Sequence, residues 1–599
     1  MVARSDNPAR PSLLFRLVPA LDSLRSYGRR EARGDLVAGL TVATVAVPQA
    51  MAYALVAGLP VEYGLHTAIV MTAVGAVFDS SRQLINGPTN AISIAVLSAL
   101  ATVPVEQRIQ AAILLAFLVG AIQLGITLLR LGDLTRYISH SVIVGFTLGA
   151  GTLLVLDQTK NLLGLAAVGE VEDHFLIRFW GSLSQGGGVH PATAMIGLGT
   201  IVLVLALRRV KAHFGWRLLP DLMIVVGIMA FLTARLGLDQ AGVSVVGDIP
   251  SALPPFGVPL FDFALMRELS GGALAIAVLG LLEAVAMAKA IASVTKQKLD
   301  MNQQCLSEGL ANLSGSFFHC FPGSGSLTRS AINQQAGAAT QWSGVVSAAA
   351  VALIMLVLAP WAHFIPRAAL AGILMVSAYN MVNWTSLAYH LRATQFDAVI
   401  VAATAFSAVA ISVEFCVMIG VLMSFMLTVP RVSRMLLSEF VVAPEGFARE
   451  RLPEDTPCDR ILIFGLEGEM FFGASAALEG FFEQIEGRVT PSTVVVILRL
   501  KRVRSPDAVG ITLLEGFVER LRRRGVHVLL CGVRQDLAWR LERAGLSEDL
   551  GADLFLEQPV RQTSTMLAVR RAYELIPGPC DHCPHYQTLA SGSKAAAPS

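Results

Sequence analysis

Glu283 stands in the run LAIAVLGLLEAVAMAKAIA, with apolar residues on both sides. A carboxylate inside a membrane-grade helix is costly and by default functional. It is six residues from Lys289, about 240° around a helix, so the two occupy different faces and do not form a simple pair. An isolated acid of this kind can couple to a proton, in the first instance, or to sodium. Arg329 closes FPGSGSLTR, residues 321–329, where Gly, Pro and hydroxyls interrupt apolar sequence. A guanidinium beside freed N–H groups and a helix N-terminus makes an anion site, although an interfacial anchor satisfies the position equally well. INGPTNAI, residues 85–92, has the same character and contains Thr89. Gln49 and Tyr53, four apart, share one helix face, and Pro48 loosens the backbone there.

These residues need a membrane scaffold. Of 599 residues, 54% are hydrophobic and 15% charged, with a mean hydropathy of +0.61. Soluble chains carry about 25% charged residues. The charges are segregated: 39 fall in the 407 residues 36–442, and 38 in the 134 residues 443–576. Disorder, a coiled coil and a plain soluble enzyme are thereby excluded, and a net charge of +2 gives no field for nucleic acid. Residues 1–35 form a basic segment that the positive-inside rule places in the cytoplasm. No apolar core follows Met1 before residue 36, so a cleavable signal peptide is not expected.

Apolar windows over 36–435 supply about twelve to fourteen crossings, each of about 20 residues. The two broken segments each follow a pair of longer apolar segments. Short, Gly/Pro-interrupted segments at matching places in two halves point to a transporter binding site. Asp79, Arg82, Asp157 and Glu414 end apolar windows and read as interfacial charges.

Residues 443–576 alternate strand and helix, giving a small α/β domain. Strands are expected at 460–465, 493–500 and 526–531. Helices are expected at 474–486, 510–523, 536–544 and 565–575. The Arg520–Arg524 region is a basic helix face, solvated or in contact with anionic lipid. No catalytic constellation appears, so no enzyme activity is expected. In the loose tail 577–599, Cys580 and Cys583 with two histidines have zinc-ligand types. They lack a second half, and no metal is expected. The seven cysteines do not resemble a disulfide framework.

The stretches GLTVATVAVPQAMAYALVAGLPVEYGL (39–65), SSRQLINGPTNAISI (80–94) and GSGSLTRSAINQQAGA (323–338) closely resemble the SulP family. These are the sulfate permease and solute-carrier-family-26 type anion transporters. The soluble part resembles their STAS domain. The resemblance implies an α-helical polytopic membrane protein with fourteen segments in 7+7 inverted repeats, split into core and gate, plus a cytosolic α/β STAS domain. It implies elevator-type alternating access, a homodimer in the cell inner membrane and cytoplasmic termini. The substrate would be sulfate, bicarbonate or a dicarboxylate. Gln49, Tyr53, Thr89, Ser326, Thr328 and Arg329 fall where the family holds the anion, and Glu283 where it couples a proton or sodium. No other cofactor is implied. Related domains often carry a phosphorylatable hydroxyl in an Asp-x-Ser/Thr-Gly turn, but here the turn is Asp507-Ala508-Val509-Gly510, which excludes that modification. An uncoupled channel or exchanger of the same fold is the nearest alternative. Nucleobase transport and a membrane receptor are more distant ones.

Overall fold

The computed structural model describes residues 17–130, 139–169, 174–216, 220–411, 413–443, 446–455, 458–560 and 563–578. The Cys580–Cys583 tail lies outside the described residues. The chain divides into two compact units, Met1–Ser424 and Phe425–Ser599.

Sixteen α-helices lie between Arg29 and Val432 among the described residues: fourteen segments from α1 (Arg29–Val56) to α14 (Val413–Val432) and two amphipathic helices. The first half continues with α2 (Val61–Phe78), α3 (Asn90–Ala99), α4 (Arg108–Leu128), α5 (His140–Leu163), α6 (Pro191–Phe214) and α7 (Asp221–Arg235). The second half comprises α8 (Phe263–Thr295), α9 (Met301–Ser316), α10 (Leu327–Gln335), α11 (Trp342–Ala362), α12 (Arg367–Met381), α13 (Gln395–Ala410) and α14. Seven helices among the described residues are long and apolar enough to cross a membrane. Each half has a short third segment, and after its fifth an amphipathic helix, Phe175–Gln185 or Trp384–Ala393. The window 330–366 resolves into part of a half-span and a full span, as its length requires.

Packing sorts the segments into two groups. Helices α1, α2 and α4 pack with α8, α9 and α11, forming a core; α5, α6 and α7 pack with α12 and α13, forming a gate. The halves meet at a two-stranded ladder. Strand β1 (Asn86–Gly87) pairs antiparallel with β2 (Ser324–Gly325), Asn86 opposite Gly325 and Gly87 opposite Ser324. Backbone outside a helix cannot be left unpaired at membrane depth. The ladder satisfies it internally, and its antiparallel sense shows that the two halves approach from opposite directions.

In the second unit the sheet order is β4 (Ala448–Glu450), β3 (Leu436–Val442), β5 (Ile461–Glu469), β6 (Val495–Arg504), β7 (His527–Val533), β8 (Leu554–Leu556). The last four strands are parallel. Helices α15 (Ser475–Arg488), α16 (Ala508–Arg523) and α17 (Gln535–Arg543) cover one face through Phe482, Phe517 and Leu541. Helix α18 (Leu546–Leu550) follows, and α19 (Thr563–Leu575) covers the other face through Ala568, Val569 and Tyr573. The sheet takes in Leu436–Val442, which the charge count placed at the end of the apolar piece. Asp507 caps α16, accepting from Gly510 N at 2.9 Å, and Val509 beside it is exposed. Burial in the sheet pushes the Cys531 thiol up to about 12. Cys320 and Cys531 are free thiols.

Candidate functional site

The ladder delivers two helix N-termini to one place. Thr89 caps α3, its Oγ1 accepting from Ile92 N at 3.4 Å. Ser326 caps α10, its Oγ accepting from Arg329 N at 3.5 Å. A capping hydroxyl takes one of the unpaired N–H groups of the first turn, and the others carry the positive end of the helix dipole.

Each strand is anchored from behind. Thr72 Oγ1 on α2 donates to the Asn86 carbonyl at 2.5 Å, and Ser324 Oγ donates to Gly280 O on α8 at 2.8 Å. Asn312 on α9 accepts from Gly323 N at 3.0 Å and donates to Gly323 O at 3.2 Å. These bonds take up the backbone groups that the interruptions release.

Arg329 is fully buried, the largest such side chain among the described residues. Its Nη2 donates to Pro88 O at 2.8 Å, reaching from the second half to the residue before the α3 cap. Its Nε and Nη1 have no partner. A buried guanidinium with two unpartnered nitrogens, carrying three N–H groups, leaves strong donors facing no acceptor, an arrangement that costs free energy unless a ligand completes it. The interfacial-anchor reading of Arg329 is therefore incompatible with its burial.

Glu283 is half-buried on α8, and its Oε2 accepts from Thr89 Oγ1 at 3.0 Å. Lys289 is exposed, on another face as the spacing requires. Tyr53 is buried within electrostatic range of both Glu283 and Arg329. Gln49, one turn earlier on α1, is 2% exposed, and its Oε1 has no donor. The structure thus brings Tyr53, Thr89, Glu283 and Arg329 together, with Ser326 at the base of the Arg329 turn. Thr328 differs from them in being exposed.

A cavity of about 790 Å³ lies alongside α1 and α10, lined by Thr41, Thr44, Arg208, Lys211, Ile332 and Gln335. Arg208 and Lys211 both pair with Asp221, at 3.2 and 3.1 Å.

One interfacial assignment is corrected. Asp79 is fully buried, accepting from Asn86 Nδ2 at 3.2 Å and Gln304 Nε2 at 2.6 Å. It sits at the C-terminal cap of α2, where α9 covers it. The sequence places it only at the end of an apolar window, next to exposed Arg82. Asp157 pairs with Lys160 at 2.9 Å. The side chain of Glu414 is outside the described residues. Sequence reasoning missed Glu308, which is wholly buried; the only signal was an acid immediately before the apolar window 309–328.

Residues 33–404 match the sulfate permease family, and residues 454–563 match the STAS domain. The chain is 29% identical over 561 residues to "Sulfate transporter 4.1, chloroplastic" of Arabidopsis thaliana, covering 90% of this chain and 81% of the relative. It is 27% identical to "High affinity sulfate transporter 2" of Stylosanthes hamata, covering 90% and 84%. The fold matches the murine Solute Carrier 26 family member A9 anion transporter in the inward-facing state with a TM-score of 0.85, at 21% identity and 96% coverage of both chains. The transmembrane domain of a cyanobacterium bicarbonate transporter, BicA, matches with a TM-score of 0.57 at 23% identity, covering 66% of this chain and 98% of that one. With the family match spanning well over half its length, this multi-pass membrane chain belongs to the sulfate permease family of transporters and carries a C-terminal STAS domain.

Proposed function

We propose that the protein is a secondary active transporter of sulfate or a similar oxyanion, driven by a proton gradient. The observation that carries this is the fully buried Arg329, with two unpartnered nitrogens, Nε and Nη1, beside the N-termini of α3 and α10. An oxyanion offers the acceptors those donors lack, and the two helix dipoles favour its charge. Thr89, Ser326 and Gln49 supply neutral polar contacts, Tyr53 closes one wall, and Thr328 lies on the exposed side of α10. The names of the plant relatives support sulfate over bicarbonate or a dicarboxylate. The cavity lined by Arg208 and Lys211 supports an approach route that favours anions.

Glu283 binds the coupling ion. Its bond to Thr89 ties its charge state to the α3 cap, so ion and anion binding communicate through one hydroxyl. The core carries the site and moves against the gate in an elevator-like step. The protein resides in the cell inner membrane as a homodimer, with both termini cytoplasmic.

The test is uptake of labelled sulfate, bicarbonate and fumarate into proteoliposomes, under a proton gradient, a sodium gradient or neither. Sulfate accumulation driven by protons alone, lost in Glu283→Gln, is expected. Sodium-driven accumulation would reassign the coupling ion. Flux that only equilibrates, with Glu283→Gln unchanged, would overturn coupling in favour of a channel or exchanger.

A further inference from the structure

Gln304, Glu308 and Asn312 follow one another at four-residue spacing on α9 and form one buried stripe. Two of the three are anchored. Gln304 holds Asp79, and Asn312 holds Gly323 at the foot of β2 and donates to Gln123 Oε1 at 3.0 Å. Glu308 between them has 0% exposure, and neither carboxylate oxygen receives a hydrogen bond. Asn86 adds a third such acceptor. Its Nδ2 is spent on both Asp79 oxygens, at 3.2 and 3.3 Å, while its Oδ1 is buried without a donor.

The charged groups facing Glu308 are Asp79 at the end of α2 and Glu283 on α8, both acidic. From α4 the Gln123 amide meets the stripe, at Asn312. Among the described residues no basic side chain pairs with Glu308. A fully buried carboxylate with no protein donor, beside two further acids, is heavily penalised unless it meets a positive charge. Buried acceptors without donors define that missing group, the Glu308 oxygens directly and Asn86 Oδ1 through Asp79, which interacts with both residues.

We infer that Glu308 and Asn86 Oδ1 form a seat for one small monovalent positive charge, a proton or a sodium ion, separate from Glu283. This rests on the ion-coupled reading above and extends it to a second acid. The seat lies between the Asp79–Asn86 anchor of β1 and the Asn312–Gly323 anchor of β2. Filling it stabilises the ladder that carries both half-helices, which links ion loading to the anion site. It also offsets acidic charge behind a site that must accept an anion.

The test uses the full chain in proteoliposomes, comparing wild type with Glu308→Gln under separate proton and sodium gradients. The readout is the ratio of sulfate uptake with and without the gradient, in the same vesicles. Glu308→Gln is expected to lower that ratio about tenfold, the scale of ordinary site-to-site coupling. The gradient whose effect is lost identifies the ion. An unchanged ratio for both ions overturns the proposal. A second measurement stands if Glu308→Gln does not fold: infrared difference spectra of Glu283→Gln on changing pH or sodium. A carboxyl band that responds to either is expected, and its absence overturns the seat. That arm does not depend on uptake. If wild type shows no ion-driven transport, the coupled reading fails while the infrared result still decides whether the second seat loads.

Discussion

The two half-helix junctions share one architecture and divide the chemistry unequally. Each has a two-residue strand, a hydroxyl cap and a short helix. At the third helical position the first has Ile92 and the second Arg329. The first junction has no cation of its own. It receives the Arg329 guanidinium through Pro88 O and passes its cap hydroxyl to Glu283 on the opposite half. Internal repetition therefore supplies two dipoles aimed at one spot, and asymmetry supplies the charge. Neither half is a site alone.

The sharpest way to break that division is at Arg329. Arg329→Ala is expected to reduce sulfate uptake by about a hundredfold or more, because it removes a buried cation and leaves Glu283 without it. Arg329→Lys keeps the charge and loses the planar fork, so it recovers only part of the activity. Both are measured as initial uptake rates, normalised to the amount of folded protein. If the N-termini alone held the anion, Arg329→Lys and wild type would be indistinguishable.

The same asymmetry explains what could be read in the sequence. The broken segments were legible because Gly, Pro and hydroxyls stand out in apolar runs, and Glu283 because an acid interrupts one. Asp79 and Glu308 sit at the edges of such runs, where an interfacial charge and a buried one look alike. Their burial arises only when α2 and α9 pack together, a pairing that periodicity does not reveal. Strand β3 was missed for a related reason. LLSEFVV follows the last membrane helix after three residues, and a short apolar run there does not distinguish strand from helix. Its identity comes from pairing with β5, twenty-odd residues on.

Gly87 and Gly325 compare the two strands at lower cost. Gly87 has φ +141°, and a Cβ there would lie 2.9 Å from Arg329 Nη1. Gly325 has no such backbone requirement; its added carbon would meet Ala284 Cα at 3.1 Å and Leu84 methyls at 3.2 Å. Gly87→Ala is expected to cost about 1–3 kcal/mol of stability, from the backbone alone. It should also lower apparent sulfate affinity by displacing Arg329. Gly325→Ala should lower the melting temperature of the purified protein less and leave affinity nearer wild type. Equal effects on affinity would show that Gly87 matters only as ladder backbone.

The smallest expected effects separate the two caps. Thr89→Ala and Ser326→Ala each remove one cap hydroxyl, worth about 1 kcal/mol, so their melting temperatures should fall by similar amounts. Their functional signatures should differ. Within the protein the Ser326 hydroxyl bonds its own helix turn, through Arg329 N, and not Glu283. The Thr89 hydroxyl also donates to Glu283, so its loss leaves that carboxylate one donor short. Thr89→Ala should therefore shift the pH dependence of uptake, while Ser326→Ala lowers uptake uniformly across pH. Thr89→Ser restores the hydroxyl without the methyl and should return the wild-type profile. A shift of equal size in Ser326→Ala would mean that ion dependence follows helix order in general, and that the Thr89–Glu283 bond is not the link between ion and anion.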